Sequence, residues 1–109
     1  MHQPVSEKAI EARLRDGVRA MGGKAYKLES PGNNGMPDRM VCMPGGFIFF
    51  VEMKASGRKS TPQQVARQRE LDRLGFTVLT DVDSFEHVDR ILHTLAYYKS
   101  IGYRGLSDE

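Results

Sequence analysis

Apolar positions along the chain change their period several times, and each change marks an element. Ile10, Leu14, Val18 and Met21 recur at spacings of four, four and three, which predicts an amphipathic helix over residues 6–21. Ser6 suits its N-cap, and Gly22-Gly23 ends it. Residues 24–29 set Ala25, Tyr26 and Leu28 among polar neighbours, a short strand. After a loop at 30–37, residues 38–43 and 47–54 read as two strands joined by Pro44-Gly45-Gly46. Thr61-Pro62 opens a second helix, because Thr caps well and Pro suits the first helical position, and Leu74-Gly75 closes it. "FTVLT" at 76–80 is expected to be a buried strand. A third helix from Asp83 or Ser84 carries Phe85, Val88, Leu92 and Leu95 on one stripe. The order α-β-β-β-α-β-α predicts a small α/β sandwich around a mixed sheet. At 109 residues it is one domain, with a core over about 6–96 and a loosely specified tail at 97–109.

The glycine-rich linker fixes the register of the central hairpin. Pro44 fits the second position of a type I turn, and Gly46 the left-handed residue after it. Met43 then faces Phe47, and Asp38 faces Glu52. Opposed residues share a face, with Cβ atoms roughly 4.5–5.5 Å apart. Lys54, two residues beyond Glu52, projects from that same face. A slip of one residue would separate the two acids.

Glu52 interrupts "FIFFVEMK", a run apolar on both faces like a central strand covered on both sides. A lone carboxylate there costs several kcal/mol unless paired with a cation. A Glu52–Lys54 ion pair at a strand end would explain the acid alone, and Pro37-Asp38 alone suits the start of a turn. Neither explains why the two acids land opposite each other. Two facing oxygen ligands suit a hard divalent cation, Mg²⁺ or Mn²⁺, which holds a phosphate oxygen and acidifies water. Lys54 would orient the nucleophile or offset charge on the phosphate.

Two further elements bear on this face. On a helical wheel with Ile10 at zero, Glu7 falls inside the apolar stripe at about 60° and Glu11 on its edge at about 100°. Glu7 is the favoured third acid, although it also complements the helix dipole. Thr61-x-x-Gln64 matches a capping box, while the same glutamine is placed to touch phosphate or metal-bound water. The sequence leaves both readings open.

Charge and cysteine content narrow the classes. Sixteen Lys+Arg against fourteen Asp+Glu give a net charge of only +2, so distribution matters more than sum. Lys54, Arg58 and Lys59 cluster, as do Arg67, Arg69 and Arg73. One cysteine, Cys42, excludes an internal disulfide and a cysteine-based zinc site, and reads as a small buried strand residue. His2, His87 and His93 lack metal-site spacing. Arg39 alternates away from Asp38 and reads as structural. No apolar stretch is long enough to span a bilayer and no signal-peptide pattern is present, so a cytoplasmic location, in a bacterium or phage-infected host cell, is expected.

"GMPDRMV…FFVEMKASGRKSTPQQ", with Glu7 upstream, resembles the virus-type replication-repair nuclease (VRR-NUC) domain of the PD-(D/E)XK nuclease superfamily. The resemblance runs from about Ser6 to Val88. It implies a restriction-endonuclease-like fold in which Asp38, Glu52, the backbone carbonyl of Met53 and Glu7, the helix-one acid, bind the metal. Lys54 would be the catalytic lysine, and Gln64 matches the family glutamine. Glu11 is less secure, since other members carry Gln there. Stand-alone domains of this length are similar to dimeric, structure-selective endonucleases on branched DNA such as Holliday junctions. Arg58, Lys59, Asn33 and Asn34 are the expected DNA contacts, and Tyr97, Tyr98 and Tyr103 would pack a dimer or a frayed end. The rival readings are a non-catalytic DNA- or protein-binding module, and an exonuclease or RNA-cutting relative. In these terms the small residues of "SPGNNGMPD" let a DNA backbone approach the metal.

Overall fold

A computed structural model describes residues 4–101. His2, Tyr103 and the end of the expected tail lie outside them. The elements are α1 (Glu7–Ala20), β1 (Lys24–Lys27), β2 (Arg39–Met43), β3 (Phe47–Met53), α2 (Pro62–Arg73), β4 (Thr77–Val82) and α3 (Phe85–Ile101). They form the expected sandwich around a mixed four-stranded sheet of order β1-β2-β3-β4. The first three strands are antiparallel neighbours; β4 runs parallel to β3, as a helical crossover through α2 allows.

Alternation along the strands sorts residues between two layers. Ala25, Val41, Met43, Phe49, Val51, Met53 and Val82 face a core shared with Ile10, Leu14 and Val18 of α1 and Val88, Ile91 and Leu95 of α3. Phe50 and Glu52 alternate to the opposite face, the α2 side. There Phe50 meets Phe76 edge-on at 5.6 Å between ring centroids. Helix starts follow side-chain chemistry: Ser6 caps α1 by accepting from Ala9 N, and the Ser84 hydroxyl accepts from His87 N at the start of α3.

The hairpin register is as expected, with Met43 opposite Phe47 and Arg39 opposite Val51. Its turn differs. Gly46 N donates to Met43 O, and Gly45 has φ of +90°, so Pro44-Gly45 occupies the centre of a type II turn rather than type I.

Four other expectations need correction. β1 stops at Lys27, although Leu28 N still bonds Asp38 O. β4 is not a buried strand: it forms a sheet edge, and only Val82 is fully covered. Cys42 is half-buried, because it lies on the incompletely covered face. α3 continues helical through residues 97–101, and its fully buried stripe includes Ile91, with Leu92 only partly covered. Among the described residues no helix is long and apolar enough to cross a membrane.

Candidate active site

Asp38 is held from three directions before it enters β2. Pro37 is fully buried and fixes the approach of the chain. The Asp38 carbonyl accepts from Leu28 N at 2.8 Å, prolonging the β1–β2 pairing by a step. Its carboxylate Oδ2 accepts from Met53 N, also at 2.8 Å, across the hairpin. The carboxylate is thus fixed beside β3 at the point where Glu52 projects.

The loop before it has a tighter purpose at Gly35 than admitting DNA. Gly35 has φ of +86°, and a Cβ there would stand 2.5 Å from the carbonyl oxygen of Gln63. Glycine is needed because the loop passes against the backbone of the first turn of α2. Asn33 folds back, its amide donating to the Ser30 hydroxyl, and both Asn33 and Asn34 are exposed.

Glu52 is 1% exposed. Its Oε2 accepts from Gln64 Nε2 at 3.1 Å and stands 3.8 Å from Lys54 Nζ. Its Oε1 is buried with no hydrogen-bond partner. Burial foremost, then the negative charge of nearby Asp38, push the Glu52 carboxyl up to about 8, with Lys54 opposing. An ionised Glu52 therefore has an oxygen with no donor and a neighbour of like charge. That is the state a bound cation relieves.

Gln64 joins the two halves of the site. Its Oε1 accepts from Lys54 Nζ at 2.7 Å and from Thr61 N at 2.8 Å, while its Nε2 serves Glu52. Lys54 and Thr61 N are donors and Glu52 an acceptor, so only this amide orientation satisfies all three. The capping box is complete as well, because Gln64 N donates to the Thr61 hydroxyl. The capping reading is met, and the same side chain also bridges Lys54 and Glu52.

The helix-one acids separate cleanly. Glu11 accepts from Arg39 Nε at 2.7 Å, and Arg39 also donates to the Ala25 carbonyl. Glu11 and Arg39 are thereby a brace between α1 and the sheet. Glu7, in the first turn of α1, has its pKa raised by partial burial, then by the negative charges of Asp38 and Glu11, while Lys54 lowers it. It lies within the field of the site. Among the described residues no group of three or more His, Cys, Asp or Glu side chains is placed to hold a metal ion.

Arg58 and Lys59 lie exposed on the loop between β3 and α2. Asp81 and Ser60, which the strand and loop readings passed over, are bonded to each other at the base of this loop. The available signal was an Asp directly after the strand expected at 76–80, a residue disfavoured in strands and tolerant of left-handed backbone. A groove of about 860 Å³ lies elsewhere, lined by Phe47, Ile48, Phe76, Ile91 and Leu95 among others, and holds none of the expected site residues.

The donor set fits a hard divalent cation. Asp38, just before β2, and Glu52 of β3 offer hard carboxylate oxygens, one of them buried and without a donor.

No family model matches the chain. It is 48% identical over 75 residues to "Putative nuclease p44" of Acyrthosiphon pisum secondary endosymbiont phage 1, a match covering 69% of this chain and 81% of p44. A solved structure of a "VRR_NUC domain" superposes with a TM-score of 0.76 at 30% identity, covering 82% of this chain and 96% of that one. Sequence and fold are shared over most of both molecules, so the chain belongs to the VRR-NUC domain family.

Proposed function

We propose that this protein is a nuclease, specifically a divalent-metal-dependent DNA endonuclease that hydrolyses phosphodiester bonds with water. One observation carries the reading: a buried, donorless carboxylate oxygen of Glu52 beside Asp38, with the Lys54 ammonium on the same face. The nuclease name of the phage relative and the VRR-NUC fold support it.

Asp38, Glu52 and the Met53 carbonyl would hold Mg²⁺ or Mn²⁺. When bound, the cation supplies charge for a phosphate oxygen and acidifies water. Lys54 faces the scissile phosphate and balances negative charge that develops there. Gln64 keeps Lys54 and Glu52 in fixed relation. Glu7, in the first turn of α1, is the third acidic group and would add a ligand to the cation. Arg58, Lys59, Asn33 and Asn34 contact the DNA backbone. The preferred substrate is branched DNA such as a Holliday junction, cut by a homodimer, because two symmetric incisions need two sites.

The test uses labelled Holliday junctions, flaps and plain duplex, each in Mg²⁺, Mn²⁺ or EDTA. Metal-dependent internal cutting is expected, strongest on branched substrates, and it is lost in Asp38→Asn. Absence of metal-dependent cutting on every substrate, or full activity of Asp38→Asn, overturns the reading. Junction binding without any divalent-ion binding by calorimetry would make the protein a binding module instead.

A further inference from the structure

The parallel ladder between β3 and β4 breaks at one place. Val51 pairs with Leu79, but Met53 pairs with Val82, so Thr80 and Asp81 together oppose the single residue Glu52. This is a bulge, the kind of irregularity that bends a strand and re-aims a side chain. At its apex Asp81 has φ of +52°, and among the described residues no other non-glycine residue has positive φ. Asp tolerates that conformation better than most residues, yet it remains less favourable than ordinary strand geometry.

The turned carboxylate reaches the loop that carries the exposed cations. Asp81 Oδ1 accepts from Ser60 N at 2.8 Å and from the Ser60 hydroxyl. The same hydroxyl accepts from Nε2 of Gln68, a buried polar residue of α2, at 2.9 Å. Nearby, Asp83 Oδ2 accepts from Gly57 N at 3.0 Å, and Lys54 N donates to Val82 O at 2.9 Å. The segment from Lys54 to Ser60 is therefore fastened to the end of β4 at its start, middle and finish. Arg58 and Lys59 fall between the last two fastenings.

Gly57, Arg58 and Lys59 are all exposed, so ordering them buries little apolar surface. Chain entropy opposes such order, and hydrophobic burial does not offset it. A strained carboxylate spent on an exposed basic loop, opposite Glu52 itself, serves something outside the core. We infer that Asp81 is a positioning residue, which through Ser60 holds Arg58 and Lys59 in the arrangement that meets the phosphates flanking the scissile bond. The inference rests on the nuclease reading above. Its consequence is that Asp81 governs nucleic-acid affinity without entering the chemistry.

Asp81→Gly removes the carboxylate while accepting the left-handed backbone, and Asp81→Asn keeps an acceptor oxygen. For Asp81→Gly on a four-way-junction oligonucleotide in Mg²⁺, KM should rise about ten-fold, as loss of phosphate contacts would give, with kcat little changed. Asp81→Asn should recover most of the wild-type KM. In EDTA the binding slope against salt should flatten by roughly 0.9 for each cation disengaged. Added to Arg58→Ala/Lys59→Ala, Asp81→Gly should have no further effect, because both act through the same contacts. Amide exchange at residues 58–60 should quicken in Asp81→Gly with or without DNA. Ser60→Ala, which leaves the bulge intact, carries the same tests if Asp81→Gly unfolds. An unchanged KM, full additivity with the Arg58/Lys59 variant, or unchanged exchange overturns the inference. Failure of the wild type to bind or cut any DNA overturns the nuclease reading instead, and the exchange result still decides whether Asp81 orders the loop.

Discussion

The Lys54 ammonium and the Glu52 carboxylate stand 3.8 Å apart, and one glutamine amide touches both. Gln64 takes this position because it is the N3 residue of the α2 capping box, so the helix start and the site share a side chain. Thr61→Ala and Gln64→Ala should each lower stability by about 1 kcal/mol through loss of the cap. Only Gln64→Ala should also lower kcat, by about ten-fold or more, since it alone frees Lys54 and leaves Glu52 Oε2 without its amide donor. Urea midpoints beside single-turnover rates separate the two effects; equal rates in both variants would reduce Gln64 to a cap.

Burial of Glu52 makes the metal-free protein sensitive to pH. The folded carboxyl titrates at about 8 against an ordinary 4.5, so across that window the folded state holds a proton that the unfolded state has released. Stability is therefore fullest below about 4.5 from this group and falls as pH rises through about 8, by on the order of a few kcal/mol. Urea titrations in EDTA should show the decline, Glu52→Gln should remove most of it, and Mg²⁺ or Mn²⁺ should restore stability at high pH.

Glu7 and Glu11 are one helical turn apart and should behave oppositely on mutation. Glu11→Ala breaks a largely buried pair with Arg39 and should cost about 1–3 kcal/mol, leaving the rate per folded molecule unchanged. Glu7→Gln should leave stability within about 0.5 kcal/mol and lower the rate. Thermal unfolding and kinetics on the same preparations check both.

Gly35→Ala should destabilise by more than about 2 kcal/mol, because it combines an unfavourable positive φ with a Cβ pressed on the Gln63 carbonyl. Gly32→Ala shares the positive φ but meets open space, and should cost less. Comparing their urea midpoints isolates the clash; equal costs would mean that the loop shifts away from α2.

What the sequence determined by itself was local and periodic. Helix stripes, caps and the short Pro44-Gly45-Gly46 linker follow from spacing and turn chemistry, and that linker set the register that brings Asp38 to Glu52. Lys54 followed from strand alternation alone. Tertiary structure decided whatever depended on partners distant along the chain. Glu11 sat near the same stripe as Glu7, but Arg39 arriving from β2 claimed it. β4 was apolar enough to read as buried, yet its place at the sheet edge left it half-covered. Asp81 is the one local sign of the bulge opposite Glu52, whose place depends on how two strands linked through a helix come into register. Periodicity reports which face a residue takes, whereas packing decides what stands on the other side of that face.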